Sequence, residues 1–191
     1  MRDGKPSAVQ TSYDRVAEEY VARIFGELEH KPLDRQLLDR FAARVQVIGP
    51  ACDLGCGPGH VARYLHAQGL NVIGIDLSPA MVEAAQRLNP GIGFSQGDLR
   101  SLPLEDGALG GIAALYSIIH IPRPEVVTAL VEMKRVLRPG GLVLLAFHIG
   151  DGHLHLDEWW GQRVSVDFIF FPTVAVHGRE PFFSRIVVTA V

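Results

Sequence analysis

Over the first 45 residues, apolar side chains return every three or four positions. Tyr13, Val16, Ala17, Tyr20, Val21, Ile24 and Leu28 form one stripe, the spacing of an amphipathic helix. Pro32 suits the first turn of a second helix, with Leu33, Leu37, Leu38, Phe41 and Val45 on its inner face. Beyond Val45 short apolar runs alternate with helical patterns. Strands are predicted for the run ending at Leu54, then over Asn71–Asp76, Ile92–Gln96, Ile112–Tyr116 and Leu142–Phe147. Between them the spacing predicts helices from His60 to Gln68, after the Ser78-Pro79 cap, and from Pro124 to Leu137. Val82, Ala85 and Leu88 would face inward on the second of these, and Val127, Leu130 and Val131 on the third. Gly69 is placed to cap the first. Strands joined in this way imply an α/β fold, a doubly wound, mostly parallel sheet with right-handed crossovers. The two N-terminal helices pack outside that alternation.

Composition narrows the function classes. At 191 residues a single core is expected. The net charge is −3, and residues 1–50 carry eight charges of each sign, so no basic arm tracks phosphates and nucleic acid is not the expected partner. The longest apolar stretch, Ile112–Ile121, is broken by Ser117 and His120 and is too short to span a membrane. The N-terminal segment lacks the apolar core of a signal peptide. Cys52 and Cys56 make neither a disulfide framework nor a zinc pattern. A cytoplasmic protein is expected.

The chemistry concentrates at residues 51–60, ACDLGCGPGH. Gly55, Gly57 and Gly59 directly follow the first strand, where a backbone without Cβ atoms can approach a ligand. The spacing is GxGxG, whereas a dinucleotide site has GxGxxG. Asp53, two residues upstream, would repel a pyrophosphate but could meet an ammonium group. Asp76 closes the second strand, where a carboxylate can accept from both hydroxyls of a ribose. The implied ligand has an amino acid at one end and a nucleoside at the other.

The series DLGCGPG, GIDLSPAMVEAA, GDLRSLP, GIAALYSIIHI and LRPGG, in this order, resembles class I S-adenosylmethionine-dependent methyltransferases from about Tyr13 to Gly150. His148–Gly161 (HIGDGHLHLDEWWG) more loosely resembles a bacterial, small-molecule branch of that family. The resemblance implies a Rossmann-like fold, S-adenosyl-L-methionine as cofactor and methyl transfer to a small-molecule acceptor. It further implies that Asp53, Gly55, Cys56, Gly57 and Gly59 back the methionine moiety and that Asp76 holds the ribose. Leu77 and Met81 would flank the adenine, and Gly97, Asp98 and Leu99 would meet its edge. Tyr116 and Ser117 would face the sulfonium, and Tyr20 would cover the donor. Residues 1–45 become a helical cap, 46–150 the cofactor-binding core and 151–191 the acceptor side.

Several residues admit plainer readings. Asp76 could only cap the helix after Ser78, Asp98 could be a turn acid, and Cys56 and Met81 could simply pack. A base is needed only if the acceptor must lose a proton, and His120, just past the fourth strand, is the candidate; its alternative is an ordinary loop histidine. Tyr13 lies seven residues before Tyr20 on one helical face and is a candidate substrate contact or a core residue. Lys31 could meet a carboxylate or stay solvated. His148, His153 and His155 have no helix to converge them on a metal, so none is expected. His148 and Trp159 remain candidate substrate contacts, with Trp160 walling the pocket or packing on the sheet. Two other functions fit less of the pattern: a non-catalytic binder of the donor or its demethylated product, and a nicotinamide oxidoreductase. Acceptor and oligomeric state are open.

The C-terminus departs from the family. After the fifth strand such enzymes add a helix and an antiparallel strand pair. Val164–Phe171 resembles the approach to that helix and Ser184–Val191 the closing strand, yet only seven residues separate Phe171 from Arg179. A helix, a strand and their turns take roughly 25. The unit is therefore expected to be shortened or partly missing, by true deletion or because a disordered stretch is absent from the recorded residues.

Overall fold

A computed structural model describes residues 6–172 and 186–190. Helix α1 (Ala8–Ile24) is capped by Ser7, whose hydroxyl accepts from the Gln10 amide at 3.1 Å. A short 3-10 turn (Glu27–His30) leads to α2 (Pro32–Val45). Then follow β1 (Ala51–Leu54), α3 (His60–Ala67), β2 (Val72–Asp76), α4 (Pro79–Leu88), β3 (Gly93–Gln96) and β4 (Leu109–Leu115). A second 3-10 turn (Ile118–His120) precedes α5 (Arg123–Val136) and β5 (Leu137–Phe147). The chain closes with a hairpin, β6 (His153–Trp159) and β7 (Gln162–Ile169), and with β8 (Ile186–Ala190).

Six strands form one sheet in the order β3-β2-β1-β4-β5-β8, every pair parallel. Its two faces carry separate cores. Leu38, Phe41 and Val45 of α2, Leu65 of α3 and Ala85 of α4 cover one side. Ala129, Met133 and Val136 of α5 cover the other. A fully covered parallel sheet explains why β4 and β5 read as continuous apolar runs. The order reverses direction between β1 and β4, and ligands of such sheets bind at the carboxyl ends beside that point.

Some expectations need correction. Val127 and Val131 do not face inward but are 66% and 49% exposed. The buried stripe of α5 is Ala129, Met133 and Val136, so the helix is turned by one position from the expected phase. Leu33 is half exposed rather than on the inner face of α2. No helix joins β3 to β4; the intervening loop is tied by a bridge between Asp98 and Ser101. Val164 to Ile169 belong to β7, antiparallel to β6, and residues 173–185, which follow Pro172, lie outside the described residues. The closing strand is present as β8 but runs parallel to β5. Most of the short Phe171–Arg179 connection lies outside the described residues, and with it the question of a deletion.

Helix α1 packs on β7 and α4. Ser12 makes the join to the hairpin, its hydroxyl accepting from the Ser165 amide at 2.9 Å while Val16 packs with Val164 and Val166. These elements form a roof over the carboxyl ends of the strands.

Candidate functional site

Below the roof lies a cavity of about 770 Å³. Its floor is the loop after β1. The Gly55 amide donates to the Ile75 carbonyl at 2.7 Å, which carries the chain across the end of β2. Gly55 has φ +77°, and a Cβ there would lie 2.3 Å from the Ser117 Cβ. Only glycine lets this loop and the end of β4 meet. The Gly57 amide then donates to Asp76 Oδ2 at 2.8 Å, and the Ser78 amide to Oδ1 at 2.9 Å.

The capping role of Asp76 is therefore real, yet it leaves capacity. An ionised carboxylate offers about four lone-pair sites, so these amides do not exhaust what a diol could use. Burial raises the Asp76 pKa, while the amide hydrogen bonds from Ser78, Gly57 and Leu77 pull it down. Asp53 is turned differently. Its Oδ2 accepts from the Ala62 amide at 2.8 Å inside α3, and burial pushes its pKa up to about 7. It caps α3 and also lines the cavity.

Of the residues expected at the site, Tyr13, Tyr20, Lys31, Asp53, Gly55, Cys56, Gly57, Asp76, Leu77, Asp98, Leu99, Tyr116, Ser117, His120, His148 and Trp159 all line this cavity. Three do not. Gly59 turns away, and its missing Cβ makes room for Asn89 and Phe94. Met81 is wholly buried on the inner face of α4. Gly97 is a close approach to Ile75, 2.7 Å from where a Cβ would stand.

The opposite wall is aromatic. Trp159 stands edge-on to Tyr13, Tyr20 and Phe168, with ring centroids 5.5–5.9 Å apart. The Tyr13 hydroxyl lies 2.6 Å from Nε2 of His120, and Nδ1 of His120 lies 2.8 Å from the Asp167 carbonyl. Burial pushes His120 down to about 4, so it is neutral at ordinary pH. Tyr116, at the end of β4, adopts φ +55°, a left-handed conformation that costs a tyrosine of order 1–3 kcal/mol. Its ring sits beside Lys31 Nζ at 4.9 Å and His148 at 5.3 Å.

Sequence reasoning missed Glu27, Asp34 and His60, which also line the cavity. Burial pushes the Glu27 carboxyl up, but hydrogen bonds from His60 and Lys31 outweigh it and hold the group below its usual value. Lys31 Nζ is 2.9 Å from Glu27 and 3.9 Å from Asp34, so its charge is already answered within the protein. Only the four-residue spacing of Glu27 and Lys31 hinted at this pair. The three histidines of the C-terminal region separate: His148 lines the cavity, His155 pairs with Asp167 at 2.8 Å, and among the described residues no metal-capable group of three converges.

Residues 51–141, which hold the glycine loop and the strands from β1 to β4, match the family model described as a methyltransferase domain. That stretch is similar to a methyltransferase domain. The chain is 35% identical over 117 residues to a malonyl-[acyl-carrier protein] O-methyltransferase of Pectobacterium atrosepticum, covering 59% of this chain and 44% of that protein. A demethylmenaquinone methyltransferase of Paenarthrobacter aurescens is 29% identical over 144 residues, covering 74% of this chain and 55% of that one. Among solved structures, a candidate S-adenosyl-L-methionine-dependent methyltransferase of Methanococcus maripaludis superposes with a TM-score of 0.58 at 25% identity, over 76% of this chain and 67% of that chain. The chain spans about half the length of these two curated relatives. Among its described residues, no helix is long and apolar enough to cross a membrane.

Proposed function

We propose that the chain binds S-adenosyl-L-methionine on the glycine-loop wall and methylates a small-molecule acceptor held against the aromatic wall. The observation that carries this reading is Asp76: a carboxylate fixed by two backbone amides at the floor of the cavity, with acceptor sites left for a ribose. Gly55, Cys56 and Gly57 would back the methionine part, Leu77 and Leu99 the adenine, and Asp98 its edge. The unpartnered buried Ser117 hydroxyl and the Tyr116 ring stand between that wall and the acceptor side.

When bound, the donor supplies a methyl group already activated on a sulfonium. This chain's residues then have to align, enclose and exclude water, and orientation alone is worth up to about 7–11 kcal/mol in intramolecular systems. Tyr20, whose ring is 3.7 Å from where a Gly57 Cβ would stand, closes the donor side. Trp159 and Phe168 close the acceptor side. We read residues 1–45 as cap, 46–150 as donor core and 151–191 as acceptor side, and place the protein in the cytoplasm.

Calorimetry with S-adenosylmethionine, its demethylated product and NAD tests donor binding, and tritium transfer from labelled donor to a metabolite library tests turnover. Binding of NAD alone would overturn the reading. Donor binding without transfer to any acceptor would leave a binding protein in place of an enzyme.

A further inference from the structure

The direction of every hydrogen bond in the Tyr13–His120 pair follows from one backbone atom. A carbonyl oxygen can only accept, so Nδ1 of His120, 2.8 Å from the Asp167 carbonyl, carries the ring hydrogen. In a neutral imidazole Nε2 is then a bare acceptor. The Tyr13 hydroxyl, 2.6 Å away, donates its single hydrogen to it. What the phenol oxygen still offers is lone pairs, and among the described residues none donates a hydrogen bond to it. Burial keeps His120 neutral and Tyr13 protonated, which preserves this order.

We infer that Tyr13 Oη acts as a fixed hydrogen-bond acceptor toward the cavity, so that the ligand held at the aromatic wall must present an O–H or N–H donor to it. The rest of that wall sets the remaining chemistry. Trp159, Phe168, Ile119 and Ile169 line the same cavity with apolar or flat surface, Trp159 edge-on to the Tyr13 ring. The substrate class is thus an aromatic or apolar skeleton carrying a hydroxyl or an amine hydrogen. Tyr13 is the specificity-determining residue, and His120 positions it by taking up its hydrogen. His120 need not remove a proton from substrate, and its Nε2 is not free to do so while Tyr13 holds it. This inference rests on the methyltransferase reading for the identity of the cavity, but its polarity does not.

Two measurements test it. In protein labelled with ¹⁵N-histidine, long-range ¹⁵N–¹H correlation spectra at pH 7.5 should show His120 as the Nδ1–H tautomer; the Nε2–H form would overturn the inference. Indole and benzofuran have nearly the same shape, but only indole has an N–H. Titrated in the presence of S-adenosylhomocysteine, the wild type should bind indole about fivefold more tightly, the size of one net hydrogen bond. Tyr13→Phe should level the two, and His120→Phe, which frees the Tyr13 hydrogen to point into the cavity, should erase or reverse the preference. Equal affinities in the wild type, or an unchanged preference in folded Tyr13→Phe, would overturn it. Absence of S-adenosylhomocysteine binding would count against the methyltransferase reading instead, and the tautomer would still be read independently.

Discussion

The two walls of the cavity are built by different means. The wall proposed for the donor is backbone: a glycine loop, two amides on Asp76 and the ends of adjacent parallel strands, contributed mainly by residues 53–99. The wall proposed for the acceptor is side chain. It brings Tyr13 of α1 to His120, 107 residues away, and to Trp159 and Phe168 of the hairpin. A backbone wall tolerates no added atoms, whereas an aromatic wall can change its shape and keep the sheet intact. That contrast suits one constant ligand and one variable ligand.

The contrast is most sharply broken at Gly55. Gly55→Val combines a forbidden φ of +77° with a contact 2.3 Å from Ser117. It should cost roughly 2–5 kcal/mol in urea unfolding and abolish S-adenosylhomocysteine binding. Asp76→Ala comes next. Losing a charge-assisted pair worth about 1.5–3 kcal/mol should weaken S-adenosylhomocysteine binding by roughly 10- to 100-fold in calorimetry. Asp106→Ala, which removes an exposed partner of Arg135, should stay within twofold. Comparable losses for the two would leave Asp76 with only its capping role.

On the other wall, Trp159→Ala should leave S-adenosylhomocysteine affinity within a few-fold while weakening indole binding by tenfold or more. Its stability cost should be about 1–3 kcal/mol, because the ring is only partly buried. If donor affinity fell as far as acceptor affinity, the two walls would not be independent.

The smallest effect is a difference of pH slopes. Asp53 sits at about 7 in the fold against an ordinary 3.8, so between those values the folded chain holds more protons and Asp53 makes stability fall as pH rises. His120 sits at about 4 against 6.5, so between those values the unfolded chain holds more protons and His120 makes stability rise with pH. From pH 4 to 6.5 the two oppose each other. Melting temperatures of Asp53→Asn should therefore climb with pH more steeply than those of the wild type. Those of His120→Gln should climb less steeply or decline. Parallel curves for all three proteins would show that neither group is displaced as described.

The same division decides what could be read before the structure. The sheet and the donor wall are local: Gly55, Gly57 and Asp76 lie on consecutive elements, and strand ends announce themselves by glycine and acid. Met81 and Gly97 lie off the cavity lining, and spacing could not tell this because packing and close approach use the same small or apolar residues as ligand contact. Val127 and Val131 misled because α5 is apolar around more than one face, so spacing alone could not fix its rotation. The acceptor wall was legible only as residue types. Nothing in the order of residues announces that Asp167 aims a carbonyl at His120, or that Val164–Ile169 is a strand under α1. Glu27 and His60 are 33 residues apart, and their 3.1 Å contact exists only once the roof is on.

Helix α1 is fastened to the hairpin through Ser12 and the Val16, Val164 and Val166 cluster, a core apart from those of the sheet. The described residues thus form three cores, of which the sheet needs two. In native-state amide exchange, α1 and β7 should open together and below the free energy at which the central strands exchange. Access to the cavity then becomes a matter of local unfolding. A ligand that bridges both walls would slow exchange in the roof far more than in the sheet.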